Sequence, residues 1–242
     1  MLLPSIRSEL APTGKLRVGI NYGNPVLATR DSSGDLHGVA VDLARELARR
    51  VGVPAELVGY ESAGKMFEAV KAGAWDAAFL AVDPGRAGEI SFTAPYIEIE
   101  GTYLVPAGSP LCAIADVDRD GVRIAVSAKS AYDLFLSRTL KNAQLVRAPD
   151  PNASFELLVA GKADVVAGVR QPLVTNAEKL PGSRVIDGRF MAIGQALGIP
   201  KGRAACAKYL QEFIEDVKVS GFVAQAIEKA GVRGVSVARQ TR

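Results

Sequence analysis

Histidine and cysteine are nearly missing from this chain of 242 residues, which has one histidine, His37, and two cysteines, Cys112 and Cys206. Three such side chains, so widely spread, cannot build a His/Cys metal centre of the usual spacing, and no metal or cofactor is expected. Cysteines 94 positions apart need not meet, so the redox compartment stays open. No apolar run approaches the roughly 20 residues that cross a bilayer, which excludes an integral membrane protein. A basic stripe is lacking too: Lys+Arg 29 stand against Asp+Glu 26, interspersed, leaving +3. Nucleic acid is therefore not an expected partner. There is no Ser-His-Asp order, no paired-carboxylate signature and no phosphate loop, and no catalytic residue is assigned. The opening "MLLPSIRSELAPTGKLRVGI" has no charged head followed by an apolar stretch of roughly 7–15 residues, so no secretory signal is legible in it.

What is present is a clean alternation of strand and helix patterns. "KLRVGI" reads as a strand and "LATRDSSGDLHGV" as a hairpin. Residues 39–51 then place Ala40, Leu43, Ala44, Leu47, Ala48 and Val51 on one helical face. "AELVGY" (strand), "GKMFEAVKAG" (helix ended by Gly73) and "WDAAFLAV" (strand) complete a parallel βαβαβ unit with right-handed crossovers.

The pattern restarts at "GVRIAVS" and continues through "SAYDLFLSRTL", "AQLVRAP", "NASFELLVAG" and "ADVVAGV". Ala72-Gly73-x-x-Asp76 with Pro84 is matched by Ala160-Gly161-x-x-Asp164 with Pro172 at the same spacing. These Gly and Asp residues are read as structural, Gly as a left-handed helix cap and Asp as a turn former. They set the register between two lobes: residues 1–104 with 193–242, and residues 105–192. "EGTYLVPAGSP" and "GQALGIPKG" are the extended passages joining the lobes, a two-strand hinge. The terminal "RAACAKYLQEFIEDVKVSGFVAQAIEKA" reads as helices broken near Ser220-Gly221 and packed on lobe one.

In open α/β sheets ligands sit beyond the carboxyl ends of the strands. Four such ends are "NYGN" and "VDPGR" in lobe one and "SAKS" and "GVRQP" in lobe two. They offer Asn21, Tyr22, Asn24, Val82, Asp83 and Arg86, and Lys129, Ser130, Arg170 and Gln171, as candidate ligand-binding residues of an interlobe cleft. Asn21 and Asn24 can donate to a ligand or simply make turns. Ser130 with Asp133 reads as a helix cap. Lys129 either adds positive charge beside that helix start or points into water. Strand alternation would turn one of Arg170 and Gln171 toward the cleft and its neighbour away.

"GVAVDLARELARRVGVPAELV", "KAGAWDAAFLAVDPGRAGEISFTAPY", "VRIAVSAKSAYDLFL" and the terminal "IPKGRAACAKYLQEFIEDVKVSGFVAQAIEKAG" together resemble the family 3 solute-binding proteins of ABC importers, the polar amino-acid-binding type, over nearly the whole chain. The resemblance implies a two-lobed α/β fold of the type II periplasmic-binding-protein kind, each lobe a central sheet flanked by helices. It implies a periplasmic monomer that captures a small carboxylate-bearing solute and is recognised by a membrane permease. Arg86, a few residues before "FTAPY", matches the family's arginine that clamps a ligand carboxylate, a task suited to its planar fork of donors. Tyr22 takes the family's aromatic position, where the ring lines the cleft or simply packs.

The departures concern specificity. Gly168 stands where amino-acid binders carry an aspartate for the ligand's ammonium. Ala81 and Val82 replace hydroxyl residues beside the arginine. A small organic anion, or an amino-acid derivative with its amine blocked or elsewhere, fits that pattern unless Glu98, Glu100 or Asp83 reaches the site. An enzyme of the cyclohexadienyl-dehydratase type is the alternative on the same fold, and a detached receptor sensor module is a third reading.

Overall fold

The computed structural model describes residues 4–240. Helix α1 (Pro4–Leu10) precedes β1 (Leu16–Asn21), the short hairpin β2 (Thr29–Arg30) and β3 (Leu36–His37), α2 (Val39–Val51), β4 (Ala55–Tyr60), α3 (Ala63–Glu68) and β5 (Ala77–Ala81). The long strand β6 (Ile90–Val105) leads to β7 (Arg123–Ser127), α4 (Ala131–Thr139), β8 (Gln144–Ala148), α5 (Pro151–Val159), β9 (Val165–Val169), α6 (Arg170–Lys179) and β10 (Arg184–Val185). The chain finishes with β11 (Met191–Pro200), α7 (Ala204–Val219), α8 (Phe222–Lys229) and β12 (Ser236–Val237).

Two compact units result, one from the chain up to Glu98 together with Gly194 onward, the other from Ile99–Ile193. Strands β6 and β11 each run from one unit into the other. In unit one β1 is central, parallel to β4 on one side and β5 on the other, and β5 takes β11 as an antiparallel neighbour from Gln195↔Ala81 to Gly198↔Ala78. Unit two repeats the scheme: β7 is parallel to β8 and β9, and β9 takes β6 antiparallel from Gly101↔Val169 to Leu104↔Val166. The sequence repeat is thus a structural repeat. It aligns the carboxyl ends of β1, β4 and β5 along one edge of unit one, and those of β7, β8 and β9 along one edge of unit two.

The larger core lies in unit one. The apolar face expected for α2 is buried throughout, with Leu43, Leu47 and Val51 in one cluster with Leu210, Phe213 and Ile214 of α7 and Val223 of α8. Each such side chain contributes about 1.5–3 kcal/mol when fully buried. Gly52 (φ 75°) closes α2, and Gly221 (φ 78°) breaks the terminal helices where the sequence places the break. Unit two is held by a smaller cluster that includes Leu104, Phe155, Leu158, Val166 and Leu173. Cys112 is exposed, Cys206 is buried, and both are free thiols.

One helix is shorter than its pattern suggests. The reading to Gly73 fails because α3 ends at Glu68. The Trp75 indole donates to the Met66 carbonyl at 2.9 Å, taking the acceptor that a continuing helix would need for Val70, whose amide turns to Phe67 instead. The repeated aspartates also do more than make turns. Asp76 binds the Arg17 amide and guanidinium, and Asp164 does the same for Arg123. Each arginine also donates to the glycine of the repeat, Gly73 or Gly161. These clamps close the amino ends of the strands, opposite the candidate site.

Candidate functional site

At the unit-one edge, β1 passes into Tyr22-Gly23-Asn24. Both asparagines make turns here: Asn21 Oδ1 accepts the Gly23 amide at 3.0 Å, and Asn24 Oδ1 accepts that of Val26 at 3.2 Å. Tyr22 continues the pairing with β4, its amide donating to the Tyr60 carbonyl at 2.9 Å. Its ring carries a partner that the sequence did not suggest, Arg30 from the hairpin. The guanidinium carbon lies 4.1 Å from the ring centroid, and Nη1 donates to Tyr22 Oη at 3.3 Å. Such a cation over an aromatic face contributes about 0.5–1 kcal/mol near the surface. Gly59 makes the room, since a Cβ there would stand 2.8 Å from Arg30 Nη2.

The β5 end is tighter. Val82 leaves 43% of its surface exposed, and its amide donates to the Gly194 carbonyl at 3.0 Å. Asp83, nearly buried, accepts the Gly85 amide at 2.7 Å and so shapes the loop leading to Arg86. Arg86 is wholly buried. Its Nη1 donates to the Ala81 carbonyl at 2.9 Å, and its guanidinium carbon lies 5.9 Å from the Phe67 ring centroid. Burial lowers its pKa to about 10, against the opposing pull of Asp83. Even so it remains a cation at neutral pH, held at the edge of an apolar cluster that includes Trp75, Leu80 and Ile90.

At the unit-two edge, Ser130 caps α4, its hydroxyl accepting the Asp133 amide at 3.1 Å. Lys129 adopts φ 58°, the left-handed conformation that non-glycine residues seldom take. Asp133 stabilises it by accepting the Lys129 amide at 2.7 Å, and Arg147 Nε from β8 holds Asp133 in turn at 3.0 and 3.2 Å. Burial pushes the Tyr132 phenol up to about 12, with the hydroxyls of Ser127 and Ser130 as its hydrogen-bond partners. This supporting shell of Asp133, Arg147 and Tyr132 lay beyond the sequence reading, except that Asp133 figured there as part of the cap.

Arg170 and Gln171 correct an expectation. Strand alternation does not apply to them, because β9 ends at Val169 and both residues form the first turn of α6. Arg170 Nε reaches Glu100 of β6 at 2.7 Å, Arg170 Nη2 contacts the Gly188 carbonyl, and Arg189 meets the other Glu100 oxygen at 3.3 Å. Gln171 is partly buried beside it. Gly168 pairs with Thr102, and a Cβ on it would meet Leu173 at 3.2 Å. Among the described residues no group of three or more His, Cys, Asp or Glu could hold a metal ion, and no helix is long and apolar enough to cross a membrane.

Residues 16–232 match the family described as bacterial extracellular solute-binding proteins, family 3, and the chain belongs to that family. Its fold, an α/β arrangement with helices flanking a mixed sheet, is that of type II periplasmic binding proteins. It is similar to the solute receptor for L-cysteine of Neisseria gonorrhoeae, with a TM-score of 0.82 and 23% identity over 94% of this chain and 95% of that one. It is also similar to an ancestral amino-acid-binding protein described as a precursor of cyclohexadienyl dehydratase, with a TM-score of 0.77 and 23% identity over 92% and 98%. A curated relative, the virulence sensor protein BvgS of Bordetella pertussis, is 26% identical over 130 residues, 53% of this chain but only 10% of that protein.

Proposed function

We propose that this binding protein is the substrate-binding component of an ABC importer, working in the periplasm as a monomer, and that it captures a small carboxylate-bearing solute at the carboxyl edges of its parallel strands. The observation that carries the reading is Arg86, a wholly buried guanidinium at the end of β5, inside the segment that resembles the family's carboxylate clamp. Asp83 helps hold the buried charge, and the planar fork of donors suits a carboxylate. A solute reaches this arginine only in a conformation that uncovers it, so binding and movement are coupled: the solute stabilises whichever state holds it better. That state is what the permease recognises.

Binding without chemistry is favoured over a dehydratase-like activity by how the available acids are engaged. Glu100 accepts from two guanidiniums and Asp83 from a backbone amide, which leaves them as supports. A thermal-shift panel of organic acids, amino acids and amino-acid conjugates tests the proposal. A solute at about 100 times its Kd stabilises the native state by about 2.7 kcal/mol. The shift is expected to vanish in Arg86→Met, and a full shift in that variant would overturn Arg86 as the clamp.

A further inference from the structure

We infer that the groove between α2 and α8 is a docking surface for an acidic helix of a partner protein, one that carries two carboxylates a turn apart beside an apolar side chain. The groove lies wholly within unit one, so the inference is independent of the solute reading.

Two matched helical stripes make the groove. α2 lines one wall with Asp42, Arg45, Glu46 and Arg49, and α8 lines the other with Phe222, Gln225, Ala226 and Lys229. Both rows keep the i, i+3, i+4, i+7 spacing of a single helix face. Lys229 ties the walls together, with Nζ at 3.0 and 2.9 Å from the two Asp42 oxygens. The hollow between them has a volume of about 320 Å³. A second hollow of about 200 Å³ adjoins it, sharing Asp42, Arg45 and Lys229 and adding His37 and Gly38. From Gly38 to Arg49 the α2 wall runs about 16 Å at 1.5 Å per residue, some three turns of helix. A trough edged by two such rows takes the ridge of a third helix.

Charge decides what that helix carries. Most of the rim is held by ion pairs: Glu46 accepts from Arg49 and Arg50, Arg50 also reaches Asp216, and Asp42 holds Lys229. Arg45 is exposed and has no hydrogen-bond or ion-pair partner among the described residues. Its charge is the one left over when these carboxylates are matched to their cations. It also stands one turn before Arg49, the spacing at which like charges on a helix repel. Arg49 meets Glu46 through Nε and Nη2, which leaves its Nη1 donors for a second acceptor. Carboxylates one turn apart on a partner helix match Arg45 and Arg49, and an apolar side chain between them meets Phe222 and Ala226. One surplus charge, interrupted by carboxylates, is too little for an anionic membrane, which is held by clusters of about 4–8 Lys and Arg.

NMR of the full chain, titrated with a designed peptide, tests this. The probe is an alanine-based helix carrying two glutamates one turn apart and a leucine on the same face. One control has lysines at the glutamate positions, and another keeps the composition with the glutamates on opposite faces. The glutamate peptide is expected to shift the amide signals of α2 and α8, with an affinity that falls as salt is added. Binding should weaken about fivefold in Arg45→Gln and in Gln225→Glu, exposed positions on opposite walls where the core is untouched. Absence of shifts on α2 and α8, equal binding of either control peptide, or unchanged affinity in both variants would overturn the inference. The small dicarboxylate glutarate producing the same shifts at the same concentration would overturn the helical partner. Phosphatidylglycerol vesicles that bind the chain through Arg45 while the peptide stays inert would replace it with a membrane.

Discussion

Arg17 grips both oxygens of Asp76, with Nη2 at 2.7 Å from Oδ1 and Nε at 3.0 Å from Oδ2, and Asp76 is fully buried while the arginine keeps a quarter of its side chain in water. The equivalent pair in unit two, Arg123 and Asp164, has 41% and 40% of its side chains exposed. The same motif should therefore have unequal worth. Asp76→Asn is expected to cost about 1.5–3 kcal/mol, because the charge-assisted hydrogen bonds to a fully buried carboxylate are lost while Arg17 keeps partial access to water. Asp164→Asn should cost under about 1 kcal/mol. Urea denaturation of both variants decides, and equal losses would contradict the burial argument.

Glu46 on α2 is held by Arg49 and Arg50, and these bonds, with Arg49 first, bring its pKa from 4.5 down to about 2 against the opposing effect of burial. A carboxylate depressed in this way stabilises the fold fully above its ordinary value. That contribution is lost as pH falls from about 4.5 toward 2. At about 1.4 kcal/mol per unit the full effect is about 3–4 kcal/mol, reduced by solvent screening around the exposed Arg49. The stability difference between wild type and Glu46→Gln should shrink across that window, and thermal melts at stepped pH measure it.

Lys218 is a buried ammonium, 1% exposed, that donates to the Pro95 and Arg239 carbonyls and pairs with Glu215 at 2.9 Å. It ties the segment after β12 to the unit-one part of β6. Lys218→Met should destabilise by about 2–4 kcal/mol, below the cost at a fully buried pair because Glu215 keeps some water. Hydrogen exchange at Ala238, whose amide bonds the Tyr96 carbonyl, should rise first.

Gly23 lies so close to β4's end that a Cβ would fall 1.9 Å from the Glu61 carbonyl oxygen, a backbone atom that cannot turn aside. Gly23→Ala is expected to cost about 1–3 kcal/mol and to weaken solute binding along with stability, since the displaced loop carries Tyr22. Unchanged affinity in a folded Gly23→Ala protein would separate this loop from the site.

The repeated strand and helix order was legible because apolar periodicity and the Gly-x-x-Asp register are local. The partners at the candidate site were not, because they come from afar. Arg30 reaches Tyr22 from a hairpin, Arg147 reaches Asp133 from the neighbouring strand, and Glu100 meets Arg170 from 70 positions away. The shortening of α3 was hidden for the same reason: it depends on where the Trp75 indole lands. Arg170 was misjudged by carrying strand alternation one residue too far, across a junction where helix follows strand with no connecting loop.

Because β5 takes its antiparallel neighbour from β11 whereas β9 takes its own from β6, the order of synthesis matters. All of Ile99–Ile193 is synthesised before the first residue of β11's unit-one part. The inserted half can reach its native pairing while the enclosing half still waits for its last strand and its two terminal helices. An early-translated parallel sheet with an open flank is the species on which a chaperone would act.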